Sequence, residues 1–161
     1  MRSKGYCWIA DRPELIQVWH QAGKNHAEVT AELYAQLCVK AKVEPFVEDM
    51  SAAYAWADLV ICRAGALTVC ELMAAGVASL LIPLPSAIDD HQTYNAKHLS
   101  DVGAGVSLVQ KELTAEKLAA LLSTELTDRQ HLASMAEKAQ QLAMPQSAVR
   151  VADICEEVAR G

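Results

Sequence analysis

The sequence is poor in aromatic residues, which make up 5% of its 161 positions and include a single phenylalanine. Its core must therefore be built from Ala, Leu and Val, and a composition 52% hydrophobic and 21% charged is that of a globular domain, not a disordered one. No apolar run approaches the roughly twenty residues that span a bilayer as a helix. Met1-Arg2-Ser3-Lys4-Gly5 is basic, but no adequate apolar segment follows it, so no signal peptide is expected. Cys7, Cys38, Cys62, Cys70 and Cys155 form no CxxC pair and no metal spacing. They read as reduced thiols of a cytoplasmic protein, serving as small buried hydrophobes. Positive charge is in deficit, with a formal net charge of -6, which argues against a nucleic-acid surface. The chain also lacks a G-x-S-x-G elbow, a G-x-x-x-x-G-K-[ST] phosphate loop and an H-E-x-x-H pair, so nucleophile and metal machinery of those kinds is excluded. It has no internal repeat, low-complexity tract or linker, and its length favours one domain.

What is present is organised around Asp58–Leu72. Leu59–Cys62 is a short apolar run, as in a parallel strand covered on both faces. Arg63-Ala64-Gly65-Ala66 has little side-chain bulk, so another molecule can approach its backbone closely. Leu67–Ala75 is rich in helix formers. A helix starting there aims unpaired N–H groups and a positive dipole end out of the sheet edge, a setting suited to phosphate. Thr68 and Glu71, three apart, share a face of its first turns. A hydroxyl for phosphate and a carboxylate for a sugar diol are thus placed together. The alternative is an ordinary strand–turn–helix unit that binds nothing, with Glu71 a simple helix charge.

Elsewhere, strands are predicted at Leu15–His20, Val43–Val47, Ala78–Pro85 and Val106–Val109, with Pro45 confining the second to an edge or an end. Tyr6–Ala10 is a weaker strand candidate. Helices are predicted over His26–Lys42, from Asp49 or Ser51 to Ala57, over His91–Val102 with Asp89 or Asp90 as cap, from Thr114 to Leu122, over Asp128–Ala143, and over Ser147–Ala159. Alternating strands and helices imply an α/β fold with a doubly wound parallel sheet. Ligands of such sheets sit beyond the carboxyl ends of the strands. The loops Arg63–Leu67 and Pro85–Asp90 meet there, bringing Arg63, Thr68, Glu71, Asp90, His91, Gln92 and Asn95 to one crevice. Gln92 and Asn95 offer donors and acceptors for hydroxyls, or else form a polar helix face. His91 serves a sugar or phosphate, or is structural. His20 and Lys24 are weaker candidates, and His26, His98 and His131 show no partner spacing. Phe46 and Val47 pack on a base or belong to the core. Asp89-Asp90-His91 is the one metal candidate, and capping accounts for its aspartates, so neither metal nor cofactor is expected.

Four runs together resemble the carboxy-terminal half of the MurG family of glycosyltransferases: Trp19–Lys24; Pro45–Met50 with Ala53–Asp58; Arg63–Glu71; and Ile82–Pro85 with Asp89–Ala96. The likeness covers roughly residues 15–160. It implies a Rossmann-like half of a GT-B enzyme that binds the donor UDP-N-acetylglucosamine. Phe46 and Val47 match the segment beside the uracil. Ala66, Leu67 and Thr68 match the helix start facing the diphosphate. Glu71 matches the ribose ligand, and His91, Gln92 and nearby Asn95 match the sugar side; Arg63 opens the motif. The whole family enzyme is peripheral on the cytoplasmic face of the bacterial inner membrane and joins GlcNAc to lipid I, giving lipid II. Met1–Glu14 does not match, and the Gly-Gly-Ser loop and the amino-terminal acceptor domain are missing. The expectation is a donor-domain fragment over 15–161 that is inactive alone, contains no catalytic residue, and self-associates through the exposed interdomain face. Two other readings stay open, a non-catalytic nucleotide-sugar binding module and a GT-B transferase using another UDP-sugar.

Overall fold

The computed structural model describes residues 16–85, 90–125 and 128–160. The expectations for Tyr6–Ala10, for Met1–Glu14 and for Asp89 lie outside the described residues. Within them, five short strands alternate with helices. β1 (Gln17–Gln21) is followed by α1 (Ala27–Gln36) and β2 (Lys40–Glu44). Next come α2 (Met50–Trp56), β3 (Leu59–Cys62), α3 (Ala66–Ala75), β4 (Ala78–Leu81), α4 (His91–Ser100) and β5 (Gly105–Ser107). A 3₁₀ turn at Gln110–Glu112 leads to α5 (Ala115–Glu125), α6 (Arg129–Gln141) and α7 (Ser147–Arg160).

Every strand pairing among the described residues is parallel, as the alternation of elements requires. Among the described residues the strands form two sheets, β1–β2 and β3–β4–β5, where the sequence suggested one. β4 is central in the larger sheet, and all four of its residues are buried, which is why it reads as mostly apolar, with the small Ser79 its one polar residue. The main core packs around it. Val69, Leu72 and Met73 of α3, Ala96 and Leu99 of α4, and Ala139 of α6 join Tyr54 and Leu81 there. Leu132 and Met135 of α6 close the other part, against Ala78.

Local chemistry sets the element ends. Asp49 Oδ1 accepts from the Ala52 N–H at 2.8 Å and starts α2. Asp128 caps α6 in the same way through the N–H groups of Gln130 and His131. Gly76 closes α3 in the left-handed region at φ 62, where a Cβ would meet Gln140 Cβ at 3.1 Å.

Several predicted boundaries move. The strand expected over Ala78–Pro85 ends at Leu81, and the one expected over Val106–Val109 runs Gly105–Ser107. The helix expected over His26–Lys42 stops at Gln36, because Cys38 turns left-handed (φ 55) and the Val39 N–H bonds back to the Tyr34 carbonyl at 3.0 Å. Val39 fits the helical spacing but leads into β2. That strand lies three residues upstream of Val43–Val47, and Pro45, lacking an N–H, follows its end. The cysteines also depart from expectation. Cys38, Cys70 and Cys155 are exposed, on a turn, on the outer side of α3 and on α7, and only Cys62 is substantially covered; Cys7 lies outside the described residues.

Candidate functional site

The crevice forms where β3 and β4 end. After Cys62 the chain turns through Arg63–Gly65 into α3; after Leu81 it continues through Ile82–Pro85. Three side chains lace these segments together. Arg63 donates to the Ile82 carbonyl at 3.1 Å, to the Pro83 carbonyl at 3.5 Å, and to Gln110 Oε1 at 2.7 Å. Asn95, reaching back from α4, donates to the Ala64 carbonyl at 3.0 Å. Gln92 Oε1 accepts from the Leu84 N–H at 3.0 Å. Three residues read from the sequence as ligand contacts thus hold the walls of the crevice. Single-sequence reasoning identifies a polar group but not whether a backbone partner already engages it.

α3 opens into this frame. Its N-cap is Gly65, whose side makes no capping bond, and the first intrahelical bond runs from the Val69 N–H to the Gly65 carbonyl at 2.9 Å. The N–H groups of Ala66, Leu67 and Thr68 therefore have no acceptor within the helix, and no acidic residue stands in its first turn. Leu67 is 81% exposed, and Ala64, before the helix, is fully buried. A Cβ at Gly65 would meet only Thr68 Oγ1, at 3.7 Å, so the approach to the backbone is open.

Glu71 lies one turn further on, exposed, and its Oε2 accepts a hydrogen bond from the Tyr54 hydroxyl at 2.8 Å. Burial, and then the bond to Glu71, push the Tyr54 phenol well above its ordinary ionisation range, so it remains a donor. Tyr54 was not among the residues singled out from the sequence. Its signal there was an aromatic in a short helix, indistinguishable from plain core.

The remaining candidates are spread around this centre. Val47 is buried and Phe46 is 65% exposed. The Val47 N–H donates to Gln21 Oε1 at 2.9 Å, which ties the end of β2 to the end of β1. His91 opens α4 and is exposed. Asp90 stands at the cap position of α4 but at φ 53, and its carboxylate accepts from the Thr93 hydroxyl at 2.6 Å, not from a backbone N–H as a cap would. His20 faces away to Tyr34 Oη at 3.1 Å, and Lys24 lies exposed on the loop after β1. A cavity of ≈ 280 Å³ lined by Trp19, Lys42 and Trp56 lies against β1 and β2, and none of the candidate residues lines it. Among the described residues, no group of three or more His, Cys, Asp or Glu is placed to hold a metal ion.

Parallel strands flanked by helices, with a bare helix start and a carboxylate beyond their carboxyl ends, define a Rossmann-like α/β domain of the kind found in GT-B glycosyltransferases. The chain belongs to the family described as the glycosyltransferase family 28 C-terminal domain, whose model matches residues 6–151. It is 68% identical over 150 residues to the UDP-N-acetylglucosamine--N-acetylmuramyl-(pentapeptide) pyrophosphoryl-undecaprenol N-acetylglucosamine transferase of Cellvibrio japonicus, covering 93% of this chain and 40% of that protein. The protein of the same name from Stutzerimonas stutzeri is 56% identical over 150 residues, with 93% and 41% covered. The crystal structure of Acinetobacter baumannii MurG superposes with a TM-score of 0.84 at 45% identity, covering 92% of this chain and 46% of that one. The glycosyltransferase VinC, solved in complex with dTDP, shares the fold at 18% identity and a TM-score of 0.63, with 90% and 42% covered. The chain spans about two fifths of the length of the curated relatives it matches.

Proposed function

We propose that residues 15–161 bind the donor UDP-N-acetylglucosamine for a transferase that adds GlcNAc to lipid I, forming lipid II for peptidoglycan. The observation that carries this reading is the uncapped start of α3 beside the Tyr54-held carboxylate of Glu71. Free N–H groups and the helix dipole suit a diphosphate, and a carboxylate one turn on suits a ribose diol. The names of the relatives supply the sugar and the acceptor. Exposed Phe46 suits one face of a uracil. Thr68 stands beside the phosphate position, and His91, with Gln92 and Asn95 behind it, lies on the sugar side.

In the reaction, a base removes the proton of the acceptor hydroxyl as the UDP leaves, and positive groups stabilise the departing diphosphate. The start of α3 supplies the second of these. The base and the acceptor site belong to the portion of the relatives that this chain does not span, so residues 1–161 alone do not turn over lipid I. The complete enzyme works as a peripheral protein on the cytoplasmic face of the inner membrane; no helix among the described residues is long and apolar enough to cross a bilayer.

The test is calorimetric titration of the chain with UDP-GlcNAc, UDP-glucose and UDP. Saturable binding that prefers UDP-GlcNAc and weakens at least about tenfold in Glu71→Ala is the expected result. Absence of binding, or binding indifferent to Glu71→Ala, overturns the reading. A partner is also proposed for α7. Its Val151, Ile154 and Val158 share one side of the helix and are exposed, which supports self-association of the isolated chain. A clean monomer by sedimentation at high concentration overturns that.

A further inference from the structure

We infer that Tyr54 is a positioning residue for Glu71, orienting the carboxylate toward the two ribose hydroxyls of the nucleotide. The inference rests on the donor-site reading of Glu71.

Glu71 is exposed on α3, and a free glutamate there would sample many rotamers and lose that freedom when it met a ligand. Tyr54 removes much of that freedom in advance. Its ring is 9% exposed and lies in the main core with Ala64, Leu72 and Met73, so the ring is held by packing before any polar contact is made. α2, which carries it, is fixed at its start by Asp49. The one polar atom of that ring reaches Glu71 Oε2 at 2.8 Å, across a separation of 17 residues. A hydrogen bond to an ionised acceptor is among the stronger kinds and is directional.

The bond also leaves the chemistry of the carboxylate intact. An ionised carboxylate has about four lone-pair sites. Tyr54 takes one, on Oε2; Oε1 and the second site of Oε2 remain for a vicinal diol. Because burial keeps the phenol protonated, the donor role persists across ordinary working pH. The contact therefore orders Glu71 while leaving acceptor sites for the diol.

The effect is confined to ligands that carry the diol, which separates positioning from mere structural support. The experiment titrates the 1–161 chain, calorimetrically, with UDP and with the UDP analogue lacking both ribose hydroxyls. It uses the wild type, Tyr54→Phe, Glu71→Ala and the double variant. Tyr54→Phe keeps every ring contact and deletes only the donor. The expected result is that Tyr54→Phe weakens UDP about tenfold, leaves the affinity for the analogue unchanged, and adds nothing in the Glu71→Ala background. Wild-type affinity of Tyr54→Phe for UDP overturns the inference. So does an equal loss for both ligands, which marks a general structural effect, as does additivity with Glu71→Ala. If Glu71→Ala itself leaves UDP binding unchanged, or the wild type binds no UDP, the donor-site reading fails and the inference falls with it.

Discussion

The β3–β4–β5 half and the β1–β2 half of this molecule are built from similar parts and to different standards. In the first, every residue of β4 is buried, and α3, α4 and α6 all contribute to its core. In the second, α1 has no buried residue, and its apolar Val29 and Leu33, with Leu37 at its C-terminal cap, are all exposed. Contacts on β1 and β2 are those of a surface. Lys42 Nζ lies 3.8 Å over the Trp19 ring and 3.1 Å from Glu44, and Trp19 meets Trp56 edge to face at 5.9 Å. Surface charge pairs of this kind add little stability. The candidate site draws on both halves. The groups proposed to bear phosphate, ribose and sugar stand on the well-packed half, where orientation matters most. The proposed base-side segment, Phe46-Val47, leaves the other half and is tied down by Gln21. The contrast teaches where precision is spent: a directional carboxylate needs a rigid mount, whereas a flat aromatic face tolerates more play.

The comparison breaks most readily on stability. Leu81→Ala, in the fully buried end of β4, should cost about 3 kcal/mol, since the packed core cannot close the space left behind. Val43→Ala, half-buried in β2, should cost about 1 kcal/mol or less. Chemical denaturation of the two variants checks this, and equal losses would mean that the two halves are equally consolidated. A smaller effect sharpens the contrast through the thiols. Burial pushes Cys62, in β3, up to about 11, whereas Cys38, beside β2, is exposed. At about pH 8 an alkylating agent should modify Cys38 readily and Cys62 slowly, because the thiolate is the reactive form. Mass mapping of the labelled sites reads the order, and comparable rates would show that the core opens as easily as the surface. The pH sign follows from the same burial. The neutral thiol is the form the fold favours, so its contribution is present below the ordinary thiol range and lost as the pH rises through about 11.

Legibility in the sequence followed the same division. β3 and α3 were readable almost to the residue, because an apolar run and a small-residue turn each impose a local conformation, whereas β4 starts at the expected Ala78 but ends at Leu81, short of the expected Pro85. α2 was readable from a cap at Asp49 or Ser51, and the structure uses Asp49. α1 and β2 were misjudged at their junction, where Val39 satisfied a helical pattern by coincidence and only the left-handed Cys38 breaks it. The exposed cysteines were unreadable, because exposure depends on which side of a helix meets a neighbour. As candidates, Thr68 and Glu71 came from spacing, Phe46 and Val47 stood open between base packing and core until the resemblance chose the former, and the resemblance added Ala66 and Leu67.

By itself, then, the sequence determined the α/β alternation, the position of the strand–turn–helix unit and, through four ordered motifs, the family to which the chain belongs. These depend on local propensity and on residue identity, both of which are written along the chain. Only the tertiary structure decided which polar groups were already engaged. Arg63, Gln92 and Asn95 bond to backbone atoms 8 to 31 residues away, Arg63 also bonds to the Gln110 side chain 47 residues on, and Tyr54 of α2 reaches Glu71 of α3. Such partners are chosen by packing, which brings distant segments within hydrogen-bond reach, and no local pattern records that choice.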